Sequence, residues 1–230
     1  MQYVRVWDLP LRLFHWLLVA TVTAAVLTGQ IGGNLMLWHG RLGILITGLI
    51  AFRLAWGLVG STHSRFASFV RGPAAIIAYL RGGWHGLGHN PLGALSVLGL
   101  LTVLGLQASG GLFANDDIAF QGPLYGLVSK DTSDWMTGLH RKGFWLVLAL
   151  VVLHIAAIVF YTRVKGEKLV GAMLTGQQEV GDHQPAEAPT GGGALALVFA
   201  LAVGIAGALA ASGAWMPPPP PPEPAAAPAW

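Results

Sequence analysis

The sequence of 230 residues contains no cysteine, and only 10% of its residues are charged. The absence of cysteine excludes disulfides, iron–sulfur clusters held by thiolates and the covalent attachment of a c-type haem. A cofactor in this chain would therefore be held by histidine and by packing. The formal charge of +3 is small and lies mostly on arginine and lysine of the predicted loops, so nothing in the composition indicates nucleic-acid binding.

Hydrophobic residues, by contrast, make up 54% of the chain. A membrane-spanning helix needs about 20 apolar residues, and five segments are long enough: 11–30, 38–60, 91–113, 140–162 and 192–215. Asp8 with Pro10, and Asn90 with Pro91, are start signals before the first and third segments. No small-residue cleavage site follows the first segment, which therefore reads as an uncleaved helix. The sequence predicts an all-α integral membrane protein.

Arginine and lysine indicate the orientation of these spans. They fall in the N-terminal residues, in the second loop and after the fourth span, all on one side, whereas the opposite loop, 114–139, carries mainly acids: Asp116, Asp117, Asp131 and Asp134. We therefore expect a multi-pass protein of the bacterial inner (cytoplasmic) membrane, with its N-terminus cytoplasmic and its C-terminal tail periplasmic.

Three segments lie outside the spans. Residues 65–83 mix arginines with apolar residues and predict a single interfacial helix on the inner leaflet. Residues 177–191 predict a mobile polar linker without packing, and 216–230 a Pro/Ala-rich tail in which consecutive prolines form an extended rod. The predicted units are a bundle over 1–176, the linker, a fifth span over 192–215 and the tail.

Four histidines fall within or at the edge of apolar segments, where an imidazole is costly and indicates a function. His140 and His154 lie fourteen positions apart on the fourth span, near one stripe and roughly 21 Å apart along the axis. His15 and His39 lie at matching depths on the first two spans. The alternative for each histidine alone is a hydrogen bond across helices or a position at the interface. Together they predict two bis-histidine haems, His15 with His154 and His39 with His140, in a four-helix dihaem bundle plus a fifth C-terminal helix.

Other residues near these histidines are candidates for cofactor binding. Arg41, Arg141 and Lys142 near the outer pair, and Arg12 near the inner one, are placed to pair with haem propionates or to reach lipid headgroups. Arg53 has three open interpretations: a propionate, a quinone carbonyl or the interface. The remaining histidines, His63, His85, His89 and His183, fall in predicted loops, where a solvated imidazole needs no function.

The order of these motifs resembles the bacterial cytochrome b561 family, which includes the b-type cytochrome subunits of nickel–iron hydrogenases. The resemblance covers residues 1–176 and is carried by His15, His39, Arg41, Arg53, Trp56, Gly57, Gly60, Ser61, Arg65, Phe66, Phe69, Gly88 through Leu95, His140, Arg141, Phe144, Trp145 and His154. It implies two non-covalent haem b groups and electron exchange between the quinone pool and a redox partner. The fifth span and the tail depart from the family core.

Haems with two histidine ligands have no open coordination site and carry electrons. The sequence therefore predicts transmembrane electron transfer between quinone and a periplasmic partner, either a cytochrome c or an oxidoreductase subunit. Two alternatives stay open: a superoxide:quinone oxidoreductase, with cations near the outer haem attracting the anion, and a non-redox membrane scaffold that uses the proline tail. Assembly into a homo-oligomer is also left open.

Overall fold

Five helices are long and apolar enough to cross a membrane within the residues that the structure, a computed structural model, describes: 2–83, 86–180 and 190–217. In chain order the elements are β1 (Gln2–Arg5), α1 (Leu9–Ile31), α2 (Met36–Val59), α3 (Phe66–Phe69), α4 (Pro73–Leu80), α5 (Pro91–Leu112), α6 (Lys130–Arg163), α7 (Leu169–Thr175), β2 (Gln177–Val180) and α8 (Ala194–Ser212). The long helices are α1, α2, α5, α6 and α8, which confirms the predicted all-α membrane fold.

The predicted start signals of α1 and α5 are confirmed. The Asp8 carboxylate accepts a hydrogen bond from the Leu11 amide at 2.7 Å, and the Asn90 side chain accepts one from the Gly93 amide at 2.8 Å. Each satisfies an amide that the first helical turn leaves without a partner, and each helix has a proline in its first turn.

Helix α6 begins ten residues earlier than predicted, so the expectation of a loop over 114–139 is wrong in its second half. Ser129 caps the helix, and Ser133 in its first turn donates to the Phe113 carbonyl at 2.6 Å. Asn115 donates to Ser133 at 2.7 Å. Polar contacts to the preceding loop, rather than an apolar repeat, therefore set this helix start. At 34 residues α6 is about 51 Å long, more than a hydrocarbon core requires.

The segment 65–83 forms two short helices, α3 and α4, and the prediction of one interfacial helix is wrong. The break lies at Gly72 and Pro73: Gly72 is extended, with ψ 171°, and Pro73 is the first residue of α4. A residue before proline is sterically pushed out of the helical region, so the chain bends here.

The N-terminus pairs with the segment that follows α7. β1 and β2 form an antiparallel two-stranded sheet, with Tyr3 opposite Glu179. The Gly176 carbonyl also accepts hydrogen bonds from the amides of Val6 and Trp7, at 2.8 and 3.1 Å. Part of the predicted linker is thus a strand. Residues 181–189, and most of the predicted proline tail, lie outside the described residues.

Helix α8 packs closely along α2. A Cβ at Gly48 would lie 2.9 Å from the Cβ of Ala208 and from the Gly204 carbonyl oxygen, and a Cβ at Gly207 would lie 2.8 Å from Ala51. Small residues let the two backbones approach, as is common between membrane helices. The fifth helix therefore packs against the bundle, a contact that the sequence did not predict. Gly48 follows His39 by nine positions, which places α8 on the face of α2 opposite that histidine.

Two buried layers fill the space between the helices. One gathers the start of α1, the end of α2 and parts of α5, α7 and α8, with Trp56 and Phe14 among its large members. The other comprises Ala25, Ile46, Ile50, Leu104, Ala108 and Val147, from α1, α2, α5 and α6. This second layer leads directly into the cavity described next.

Candidate functional site

The structure places the imidazole rings of His39 of α2 and His140 of α6 close to each other. Their ring centroids are 5.9 Å apart, and their planes are inclined by 84°. Two imidazoles on opposite sides of one metal, each bonded at about 2 Å, place their ring centroids roughly 6 Å apart. The separation of the two rings therefore suits a single metal ion between them.

Each ring of this outer pair is held by a backbone carbonyl of the neighbouring helix. His39 Nδ1 lies 2.8 Å from the Ala25 carbonyl oxygen of α1, and His140 Nδ1 lies 2.9 Å from the Gln107 carbonyl oxygen of α5. Since a carbonyl oxygen only accepts, Nδ1 donates in both contacts. A neutral imidazole then carries its lone pair on Nε2, the nitrogen left free to bind a metal.

Glycine makes both contacts sterically possible. A Cβ at Gly29 would lie 2.7 Å from His39 Nδ1, and a Cβ at Gly111 would lie 2.8 Å from His140 Cε1. Each glycine comes four residues after the carbonyl that holds the ring, so the same pair of features occurs on α1 and on α5. The sequence did not indicate either glycine, because each lies on a different helix from the histidine that it contacts.

A cavity of about 490 Å³ surrounds His39 and His140. Its walls come from α1, α2, α5 and α6 and are largely apolar, with Val22, Ile46, Leu104 and Val147 among them. Its volume lies within the range of pockets that bind cofactors and small molecules. Gly43 lines the cavity and has open space where a Cβ would be.

Helix α6 carries a proposed ligand of each haem, yet few of its residues are buried. Only Ser133 and Val147 of its 34 residues are buried. It packs along α5, whereas the cavity separates it from α1 and α2 around His140. A bulky group between these helices would complete their packing.

The inner pair, His15 and His154, is held differently. His154 Nδ1 lies 3.3 Å from the Ser96 hydroxyl of α5, whereas the buried Nδ1 of His15 has no hydrogen-bond partner among the described residues. The inner histidines thus have weaker contacts to the surrounding protein than the outer pair, and their pairing stays a prediction.

No group of three or more histidine, aspartate or glutamate side chains is arranged to hold a metal within residues 2–83, 86–180 and 190–217. A site with only two protein ligands suits iron in a porphyrin, since the porphyrin supplies the remaining four nitrogens. The donor set therefore fits haem better than a metal ion bound by protein alone.

Comparison with known proteins agrees with this geometry. A family model described as prokaryotic cytochrome b561 matches residues 6–176, well over half of the chain. The chain belongs to the prokaryotic cytochrome b561 family. The match ends at Gly176, so β2 and α8 lie outside it.

Individual relatives are distant but cover most of the chain. A probable Ni/Fe-hydrogenase B-type cytochrome subunit of Azotobacter chroococcum mcd 1 is 25% identical over 225 residues, covering 79% of this chain and 91% of the relative. A probable Ni/Fe-hydrogenase 1 B-type cytochrome subunit of Escherichia coli (strain K12) is 23% identical and covers 74% and 88%. The corresponding subunit of Rhodobacter capsulatus is 23% identical and covers 79% and 83%. No solved structure matches the chain.

Membership of the cytochrome b561 family makes this chain a multi-pass membrane b-type cytochrome, which carries electrons on haem b. The outer cavity fits that cofactor on three independent features. Two imidazoles face each other with Nε2 free, glycines keep side chains off the rings, and the walls are apolar.

The predicted cationic residues divide into two groups. Arg141 lines the outer cavity, whereas the Arg41 guanidinium lies over the Trp38 ring, 5.0 Å from its centroid. Arg12 donates to the Leu174 carbonyl at the end of α7. The structure therefore places Arg141 at a candidate cofactor site and gives Arg41 and Arg12 other partners.

Arg53 is buried in this cytochrome, with 2% of the residue exposed. It donates to the Ser64 carbonyl at 3.1 Å and lies over the Phe66 ring, 4.7 Å from its centroid. These are the contacts that the structure gives Arg53, and its three predicted roles stay predictions.

His89 was expected to be solvated, and this expectation is wrong. Its ring packs against Trp7 and Phe69, with centroids 4.5 and 4.7 Å away, and its Nδ1 is buried without a partner among the described residues. Burial, together with positive groups nearby, lowers the pKa of His89 to about 3. Trp7 and Phe69 lie far from His89 in the sequence, so no local pattern signalled its burial. His85 and His183 lie outside the described residues.

Proposed function

We propose that the protein transfers electrons across the membrane between a quinone and an oxidoreductase subunit on the outer face, through two bis-histidine haems b. His39 and His140 would hold the outer haem, and His15 and His154 would hold the inner one. The observation that carries the proposal is the facing pair of imidazoles at 5.9 Å, each already oriented by its Nδ1 contact.

The spacing along α6 supports a path through the membrane. His140 and His154 lie on one unbroken helix, about 21 Å apart along its axis. A hydrocarbon core is about 30 Å thick, so one helix provides a ligand in each half of the membrane. The two haems together would cover most of an otherwise insulating layer.

The residues of the chain then have simple roles. When bound, haem supplies one-electron redox chemistry at its iron. With two histidines bound to each iron, neither haem would have an open site for oxygen or substrate. The Ala25 and Gln107 carbonyls fix the rings and increase the basicity of the outer ligands, and the apolar walls exclude water.

The proposal of an oxidoreductase subunit as the outer partner is supported by the relatives, which are named as probable B-type cytochrome subunits of nickel–iron hydrogenases. The acidic outer loop supports docking less than its sequence suggests. Asp116 accepts three hydrogen bonds from amides of its own loop, and Lys130 pairs with Asp117 and Asp134. Much of the negative charge is thus used within the loop.

The orientation is also part of the proposal, and it is supported by the arginines and lysines on the side of the N-terminus. Cysteines introduced at two exposed positions, Ser129 and Ala74, would test it. An impermeant thiol reagent applied to intact cells should label residue 129 only. Labelling at residue 74 alone would show that the orientation is the opposite of the one proposed.

The test of function uses the full chain purified in detergent and returned to lipid nanodiscs. The reduced-minus-oxidised spectrum should show b-type bands, and a quinol analogue should reduce both haems. If those bands are absent, the protein is a scaffold. If the bands are present and quinol does not reduce them, the quinone link is contradicted.

A further inference from the structure

The crossed orientation of His39 and His140 does not follow from ligation alone. Two axial histidines may bind one iron with parallel or crossed rings, and here the planes are inclined by 84°. The angle must therefore come from contacts outside the metal site, and the structure shows those contacts for each ring.

Each ring is fixed against the helix next to its own. His39 reaches from α2 to the Ala25 carbonyl on α1, and His140 reaches from α6 to the Gln107 carbonyl on α5. A helical carbonyl already accepts the amide four residues later, so the imidazole must approach beside that amide. The residues at those positions are Gly29 and Gly111, and a Cβ on either would lie within 3 Å of the ring.

Neither ring can turn about its Cβ–Cγ bond without losing its hydrogen bond to that carbonyl. A buried imidazole N–H without a partner is costly, so the bond defines the plane of the ring. Because the two carbonyls belong to different helix pairs on either side of the cavity, the two planes are set independently of each other.

We propose that Gly29 and Gly111, with the carbonyls of Ala25 and Gln107, hold the outer ligands crossed and thereby set the electronic state of the outer haem. This rests on the outer ligand pair of the proposed function. Each imidazole donates π electron density to the iron d orbital perpendicular to its plane. Crossed rings raise two d orbitals equally and leave them nearly degenerate, whereas parallel rings split them. The ferric outer haem should therefore give the large-gmax low-spin electron paramagnetic resonance signal of near-degenerate orbitals.

The inner pair provides an internal comparison. His15 Nδ1 has no partner among the described residues, and His154 Nδ1 has only the Ser96 hydroxyl at 3.3 Å. Changes at Gly29 or Gly111 should therefore leave the signal of the inner haem unchanged.

The experiment is low-temperature electron paramagnetic resonance on the oxidised, purified full chain, with haem quantified per polypeptide. The wild type should show a large-gmax signal that disappears, together with one haem, in His39→Ala. Gly111→Ala should retain two haems and shift this signal to lower gmax. The matched control is Gly99→Ala on the same helix, where a Cβ meets nothing within 4 Å and the spectrum should not change.

Two results would overturn the inference. One is a wild-type signal that is lost in His39→Ala but has the rhombic shape of parallel rings. The other is a Gly111→Ala spectrum identical to that of Gly99→Ala. If Gly111→Ala does not retain the outer haem, the same comparison is made with Gly29→Ala. If neither variant retains that haem, the shape of the wild-type signal tests the inference. A haem content that stays at two in His39→Ala would instead contradict the ligand pair, and with it the proposed function.

Discussion

The two ends of the bundle hold their histidines in opposite ways. At the outer end each ligand is oriented by one carbonyl and one glycine of an adjacent helix. At the inner end the histidines themselves have few polar partners among the described residues, and the polar contacts of that end lie in its loops and strands instead. The outer ligand geometry is therefore set by pairs of helices, whereas the inner end is held together by its loops and strands.

Asp8 is the centre of that inner structure. Its carboxylate caps α1 and accepts hydrogen bonds from Trp56 Nε1, at 3.1 Å, and from the hydroxyls of Ser61 and Ser64. These contacts join the start of α1 to the end of α2 and to the loop that follows. One carboxylate thus holds three segments together at the inner end of the bundle.

The largest effect is expected from the ligands. His39→Ala or His140→Ala should remove the outer haem, and His15→Ala or His154→Ala the inner one, because each leaves an iron with one axial ligand. Haem per polypeptide should fall from about two to about one in each variant. A variant that retains both haems with an unchanged spectrum would exclude that residue as a ligand.

Asp8→Ala should loosen the inner end specifically. It removes a helix cap, worth about 1 kcal/mol, and three side-chain hydrogen bonds to a charged group, so the unfolding free energy should fall by at least about 2 kcal/mol. Thermal unfolding in detergent measures this loss. Asp131→Ala, an exposed acid in the first turn of α6, is the control and should change stability little. Equal losses in both variants would contradict the role given to Asp8.

Truncation of the C-terminus should have a smaller effect, and one that differs between the inner and the outer haem. A chain ending at residue 180 retains the β1–β2 pairing, and since α8 packs on the face of α2 opposite His39, both haems should remain bound. Ending at Gly176 also removes β2, the pairing partner of β1. The inner haem should then transfer faster to apomyoglobin, with the outer rate unchanged. Equal rates for the two truncated chains would show that the sheet does not support the inner site.

The smallest effect concerns pH. Burial holds the pKa of His89 at about 3, far below the usual value of about 6.5. Between these two pH values, His89 is protonated in the unfolded chain and neutral in the folded chain. Stability should therefore fall as the pH drops from about 6.5 toward about 3. The charged or titratable groups that face His89 are Arg53, His15, His154 and His63. Unfolding midpoints at several pH values should depend less on pH in His89→Phe, and an unchanged slope would contradict this.

The sequence predicted the features that depend on composition and on local signals. The five spans, the caps at Asp8 and Asn90 and the family all follow from apolar length, capping residues and motif order. Contacts between distant segments were not predictable in this way. The β1–β2 pairing, the polar network that starts α6 at Lys130 and the burial of His89 each join residues far apart in sequence, as do the carbonyl contacts of Ala25 and Gln107.

Paired substitutions test the central claim, the pairing of the four histidines, most directly. If His39 and His140 share one haem, the double variant His39→Ala/His140→Ala should retain one haem per polypeptide, because the inner pair is intact. The double variant His39→Ala/His154→Ala should retain none, because it removes one ligand from each haem. The opposite result, no haem in the first variant and one in the second, would show that the histidines pair differently and contradict the account.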